Sequence, residues 1–381
     1  MVFALEALEA KKGDALLLHY GRDTKPKLIV IDGGPSGVYN RSLKPRLLQI
    51  KKQRSPDKPL PIRMVMVSHI DDDHINGILQ MLEQLDDLRD RRRPLPYAIT
   101  TLWSNTFDDL LGNEADEMVA SLGGAASAAA RSGLSARLPV RMDTALVLAS
   151  VNQGRRLRDA AKKLGVGVND GFCNLVMVPE GKKSHTFDAG DGLKLEVIGP
   201  DEERVIALQE EWDKQIKKSG VARAADFADE SVFNLSSITV LATFKRKKML
   251  LTGDARGDYI LAGLRRAGLL KRGKTHVDLL KLPHHGSDRN VDTDFFRAIT
   301  ADHYVVSGNG EYGNPEITTF QMISEARGQD EYTVHLTYGK LPKDSRPNKL
   351  LEFFKREKRS GKKYKVITRK AKDLGVRVDL I

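Results

Sequence analysis

The chain has 381 residues, 40% of them hydrophobic and 30% charged, a balance that excludes a disordered polymer and allows one large core or two smaller ones. One cysteine, Cys173, excludes an internal disulfide and a zinc site built from several thiolates, so a metal would be held by histidine and carboxylates. The net charge of +11 suits a polyanionic partner and equally well a merely soluble surface.

Glu6, Glu9, Lys11, Lys12 and Asp14 interrupt the first twenty residues, which therefore lack the apolar stretch of a secretory signal. No segment reaches the roughly 20 apolar residues of a membrane span, so the expected setting is cytoplasmic and without a membrane partner. Short β-rich runs at 3–8, 15–20 and 27–32 open a sheet, the last ending in Asp32-Gly33-Gly34. Residues 41–54 have helical character. Residues 62–68 form a nearly continuous apolar run, as in a strand covered on both faces.

That run delivers Ser68-His69-Ile70-Asp71-Asp72-Asp73-His74-Ile75-Asn76-Gly77 at a strand end. A six-residue loop with two imidazoles and several carboxylates can aim alternating side chains at two adjacent cations, as a dinuclear hydrolytic site requires. The plain alternative is a solvated acidic turn or a helix cap. Residues 103–165 then turn Ala-rich and helical, notably at 125–131 and 146–164, and are expected as a helical insertion.

Strand-like runs return at 174–178, 193–198, 238–244, 249–252, 277–281 and 304–307. The expected class is α/β, with mixed sheets inside and helices outside. Residues 1–339 would form this domain. Residues 340–381 would be a basic C-terminal extension, its amphipathic helix at 349–359 carrying Phe353 and Phe354, with Tyr364 beyond. These rings suit base stacking as well as they suit a core. No internal repeat is present.

Two more strand ends carry chemistry. Residues 249–254 end in Gly253-Asp254, where one carboxylate could bridge two metals, although Asp after Gly is commonly a turn residue. Residues 279–287 end in Pro283-His284-His285-Gly286-Ser287, and neutral imidazole is the commonest metal ligand. Spacing leaves open which histidine binds, since adjacent side chains of an extended segment point to opposite sides.

At this point a resemblance becomes specific. Residues 68–77 resemble the His-x-Asp-x-Asp-His form of the signature loop of the metallo-β-lactamase superfamily, with Asp32, Asp254 and His284 similar to its other motifs. More narrowly, Gly13-Asp14-Ala15-Leu16-Leu17, residues 250–254 and residues 280–287 resemble the hydrolase domain of the ComEC family of competence proteins, over about residues 3–325.

The resemblance implies a four-layer αββα sandwich. It assigns His69 and Asp71 to a first metal, Asp73, His74 and His284 to a second, and Asp254 to both, with Asp32 orienting the signature loop. His285 would stand near the substrate as a catalytic acid, and Asp73 or Asp254 would orient the attacking water. Ser237 and Ser287 would support the site or the substrate. Two positions depart from the pattern: Asn234 precedes Ser237 where the superfamily usually has a histidine, and Asn314 stands where relatives place histidine before proline. Asn234 or water would complete one metal, and Asn314 would contact a substrate phosphate.

Two divalent cations are implied, and Asp71 as a hard ligand favours manganese alongside zinc, with magnesium behind. The family's domain accompanies a membrane channel, for which this sequence has no segment, so DNA uptake is not implied. The expected activity is that of a nuclease or phosphodiesterase acting on nucleic acid or a nucleotide. The competing readings are a hydrolase of a non-nucleotide ester, amide or lactone, and a non-catalytic nucleic-acid-binding regulator with a degenerate metal site.

Overall fold

Alternation along the strands sorts their side chains onto two faces, and both faces are covered. The computed structural model describes residues 1–106, 142–207, 210, 236–339 and 346–381. The strands are, in chain order, β1 (Val2–Leu8), β2 (Leu16–Arg22), β3 (Lys25–Ile31), β4 (Leu60–Ile62), β5 (Met64–Met66), β6 (Tyr97–Ile99), β7 (Thr101–Trp103) and β8 (Gly167–Val168). There follow β9 (His185–Gly190), β10 (Leu193–Gly199), β11 (Thr239–Phe244), β12 (Lys247–Leu251), β13 (Thr275–Lys281), β14 (Ile299–Val306), β15 (Thr333–Leu336), β16 (Lys365–Thr368) and β17 (Gly375–Asp379). The helices are α1 (Lys44–Arg54), α2 (Asp72–Asp90), α3 (Met142–Lys163), α4 (Gly257–Arg266), α5 (Thr293–Ala298), α6 (Ile317–Arg327) and α7 (Arg346–Arg359).

One sheet has the order β17-β1-β2-β3-β5-β7-β8, and a second the order β16-β15-β14-β13-β12-β11-β10-β9. Phe3, Leu5, Leu18, Ile29 and Met66 of the first sheet share one buried cluster with Val240, Ala242, Met249 and Leu279 of the second, so the sheets pack face to face. The alternate residues Leu17, Val30 and Val65 face outward onto α1, α2 and α3, meeting Leu47, Ile78, Leu82 and Leu157. Outside the second sheet, Leu250, Leu280 and Tyr304 meet Ile260, Phe295, Phe320 and Phe353 of α4 to α7. Each such side chain contributes about 1.5–3 kcal/mol when fully buried.

The α/β class is therefore observed. Helix α3 covers most of the helical stretch expected at 146–164, while the one at 125–131 lies outside the described residues. The apolar run at 62–68 is not one strand: it divides at Arg63, β4 pairing with β6 in a separate two-stranded sheet and β5 with β3 and β7. Residues 174–178 do not form the expected strand. The side chain of Asn105 takes the place of a ladder partner there, accepting from the Val176 N–H at 2.8 Å and donating to the Val176 carbonyl at 3.1 Å.

The basic C-terminal stretch is built into the fold. β16 pairs with β15, β17 pairs with β1, and Phe353, Phe354 and Tyr364 are buried in the outer cluster of the second sheet. Their rings are core residues and are not available for base stacking. No helix among the described residues is long and apolar enough to cross a membrane.

Candidate metal centre

The site lies at the ends of β5, β12 and β13, the last two parallel neighbours whose C-terminal ends emerge side by side. Beyond β5 the loop is shorter than the six residues expected, because Asp71 is the N-cap of α2. Asp72 and Asp73 in the first turn complement the helix dipole, so Asp73 and His74 are held on helical backbone. Gly77, one turn on, has a reason to be glycine: a Cβ there would stand 1.9 Å from the Gly33 carbonyl oxygen. Backbone meets backbone at that point, fixing α2 against the loop after β3.

The three loops are cross-linked. The Ile238 N–H donates to the Ser68 carbonyl at 2.8 Å, the His284 N–H to the Gly253 carbonyl at 3.2 Å, and Thr252 Oγ1 to the Lys281 carbonyl at 2.8 Å. Ser237 Oγ accepts from the Asp254 N–H at 3.2 Å, holding the carboxylate's own backbone.

Asp254 stands between two groups of donors. On one side His74 Nε2 lies 3.4 Å from Asp254 Oδ1 and 3.2 Å from His285 Nε2, which is 3.5 Å from Asp254 Oδ2 and 3.6 Å from Asp73 Oδ2. On the other, His69 Nε2 is 3.4 Å from Asp71 Oδ2 and 3.9 Å from Asp254 Oδ2, with His284 Nε2 3.8 Å from the same oxygen. Asp14, His74, Asp254 and His285 form a buried group whose ligand atoms lie within 4.8 Å of one another and could hold a metal ion. The donor set fits a cation on a further count: His69 Nε2 and Asp254 Oδ1 are buried without a hydrogen bond, an arrangement proteins seldom tolerate unless something else satisfies the atoms.

Carboxylates also stand behind the imidazoles. Asp32, at φ 56°, accepts from Ser68 N and Ser68 Oγ, both at 2.7 Å, and meets His74 Nδ1 at 2.9 Å. Asp14 plays the corresponding part for His285, with Oδ1 3.7 Å from its Nδ1. Its oxygens are otherwise engaged by the Ser307 hydroxyl and by the ammonium of Lys281, 2.6 Å away. Although Asp14 is close enough to count among ligand atoms, these partners place it behind the histidine, the usual orienting position beside metal-binding imidazole.

The electrostatics draw positive charge into this group. Burial opposes protonation of His74, but Asp254 and Asp32 hold its pKa well above the ordinary value. His285 is likewise raised against burial, to about 9, by Asp254 and Asp14. Burial, with His74 nearby, lowers His69 to about 4. Burial raises the Asp71 carboxyl to about 7, whereas His285 and His74 overcome burial and hold Asp254 well below the carboxylate range.

His69, Asp71, Asp73, His74, Asp254 and His284 lie together in one cluster, and Asp32 stands behind His74. Both of the paired histidines reach the cluster. His285, expected near substrate, is the buried member facing Asp73, His74 and Asp254, while His284 is 32% exposed and holds Asn290 Oδ1 through Nδ1 at 2.9 Å. Both residues are left-handed, at φ 46° and 51°, so the opposite pointing of an extended segment does not apply and both rings reach Asp254.

The Asn314 amide donates to the His284 carbonyl at 3.1 Å and so braces the histidine turn. Ser287 closes that turn with its N–H on the His284 carbonyl and accepts from the Arg289 N–H at 3.4 Å. Asn234 lies outside the described residues. Sequence reasoning missed Asp14, Lys281 and Ser307 as site residues. The available signal was Lys281, a charge inside the apolar run Leu279-Leu280-Lys281-Leu282, which implies a buried counter-ion.

No protein-family model matches the chain. A 55-residue stretch, 14% of the chain, is 40% identical to microtubule-associated protein 1A of Rattus norvegicus, Mus musculus and Homo sapiens. The stretch covers 2% of those proteins' own length, and a likeness of that extent assigns no family.

Proposed function

We propose that this chain is a metal-dependent hydrolase of the metallo-β-lactamase fold, resembling the ComEC hydrolase domain and cleaving phosphodiesters in nucleic acid or a nucleotide. The observation that carries it is the convergence on Asp254, at the end of one strand, of imidazoles from the ends of two others, with His69 Nε2 and Asp254 Oδ1 buried and unbonded. Two sheets sharing a core, with helices on their outer faces, support the four-layer αββα arrangement.

His69, Asp71 and His284 would hold one divalent cation and Asp73, His74 and His285 a second, with Asp254 shared. Zinc or manganese suits this mixture of imidazole and carboxylate. Bound there, the pair supplies Lewis acidity and a water acidified toward neutral pH. Asp32 and Asp14 steer the Nε2 atoms of His74 and His285 inward. Asp73, 20% exposed between those two imidazoles, is the carboxylate placed to accept the proton of the attacking water.

The test is to strip the purified protein with chelator, resupply manganese, zinc or magnesium, and measure bound metal and cleavage of labelled single- and double-stranded DNA and RNA. Cleavage should follow metal occupancy, and Asp73→Asn should lower the rate by about 10²–10⁴-fold. A protein that neither binds metal nor cleaves would retire this reading. Bound metal without cleavage of any nucleic acid would move the substrate to an ester, amide or lactone.

A further inference from the structure

Tyr312 is 70% exposed and is the only exposed aromatic residue among those described. It is not on a loose loop. The Gly310 N–H donates to the Asn314 carbonyl at 3.0 Å, the Gly313 N–H to the Gly310 carbonyl at 3.2 Å, and the Glu311 N–H to Asn309 Oδ1 at 3.0 Å. Asn314 ties the loop to the His284 carbonyl, two residues from Tyr312. The ring is therefore presented from the histidine turn of the site.

Its neighbour comes from another strand connection. Lys12 Nζ lies 4.4 Å from the Tyr312 ring centroid and 3.9 Å from Asp72 Oδ2. Lys12 precedes Gly13, where a Cβ would stand 1.8 Å from the Asp73 carbonyl oxygen, so this connection is pressed against the start of α2. Lys12 thus spans from the carboxylates of the site to the exposed ring.

Around the site Asp71, Asp72, Asp73 and Asp254 would repel an approaching phosphodiester, and a fixed ammonium at the rim offsets part of that repulsion. A tyrosine held rigidly, with a cation on one face and water on the other, loses little entropy when a flat ring covers the open face. Nucleobases offer such a ring beside every phosphodiester, and stacking accepts any of them.

We propose that Tyr312 and Lys12 form a nucleoside subsite at the rim of the Asp/His cluster, the ring stacking a base and Lys12 holding the adjoining phosphate. This rests on the reading of the cluster as a phosphodiester-cleaving site, and it places the substrate in the class of single-stranded or frayed polynucleotides, whose bases are free to stack. Selectivity would then be for the presence of a base, with little preference for which one.

The test measures anisotropy of a fluorescein-labelled phosphorothioate oligothymidylate with manganese-supplied protein. Tyr312→Ala should weaken binding about tenfold and Tyr312→Phe should retain it within about threefold. Lys12→Ala should lower the salt dependence by about one phosphate contact. An abasic chain of the same length and backbone should bind wild type and Tyr312→Ala alike.

Equal affinity of wild type and Tyr312→Ala for the oligothymidylate, equal losses in the Ala and Phe variants, or no binding by wild type would overturn the subsite. Because Tyr312 is exposed, the thermal midpoint of its variants should match wild type. The expected binding pattern without metal-dependent cleavage would sustain the subsite and overturn the reading of the cluster as phosphodiester-cleaving; cleavage with binding indifferent to Tyr312 would do the reverse.

Discussion

At the scale of single residues, the strongest unforeseen contact is the ion pair of Lys281 with Asp14, each side chain 1% exposed. Burial opposes ionisation of Asp14, but Lys281 and His285 hold its carboxyl far below the ordinary range. Removing one partner of a buried pair leaves the other charge uncompensated, whereas removing both can be nearly neutral. Lys281→Met should therefore lower the unfolding free energy of chelator-treated protein by about 3–5 kcal/mol in urea. The double variant Lys281→Met/Asp14→Asn should lose clearly less. If it loses as much as the sum of the single variants, the two groups are not coupled and their role behind His285 fails with them.

Among elements, β14 and β15 carry a second, unrelated histidine pair. His303 Nδ1 and His335 Nε2 lie 3.0 Å apart across the parallel ladder, and β15 buries its ring with 3% exposure. Burial, and then His303, lowers His335 from 6.5 to about 4. Between these values the unfolded chain binds a proton that the folded chain does not, so stability rises with pH through this window and is complete above 6.5. Acidification across it removes up to about 3 kcal/mol, at about 1.4 kcal/mol per pKa unit. His335→Gln should flatten the urea stability profile between pH 4 and 6.5 by up to one proton. A profile as steep as that of wild type would exclude His335 as the source.

For the whole molecule, the end of the chain closes both sheets. β17 covers the edge of β1 in the register Ala4 to Asp379, Glu6 to Arg377 and Leu8 to Gly375, and β16 lies on the edge of the second sheet. Val376 and Val378 enter the cluster between the sheets, contributing together about 3–6 kcal/mol. A typical domain is stable by only about 5–15 kcal/mol. Deleting residues 375–381 should therefore bring the protein near its unfolding threshold and expose the β1 edge, with lower soluble yield and a lower melting temperature. An unchanged melt would show that the segment is a dispensable extension.

The amino-acid order by itself determined whatever is local. Short apolar, β-rich runs marked β1 to β3 and β10 to β14, and the polar clusters that end them placed His69, Asp71, Asp73, His74, Asp254 and the paired histidines at strand ends. Tertiary structure decided whatever depends on partners distant in sequence. Asp14 meets Ser307 across 293 residues, a contact that follows from how two sheets are stacked. The choice of His285 for the buried side follows from positive φ in a turn braced by Asn314. Likewise, Phe353 and Phe354 belong to the core because α7 packs on the second sheet, and Tyr312 is left as the exposed ring beside the site. Periodicity records which face of an element is apolar; it carries no information about which other element that face will meet.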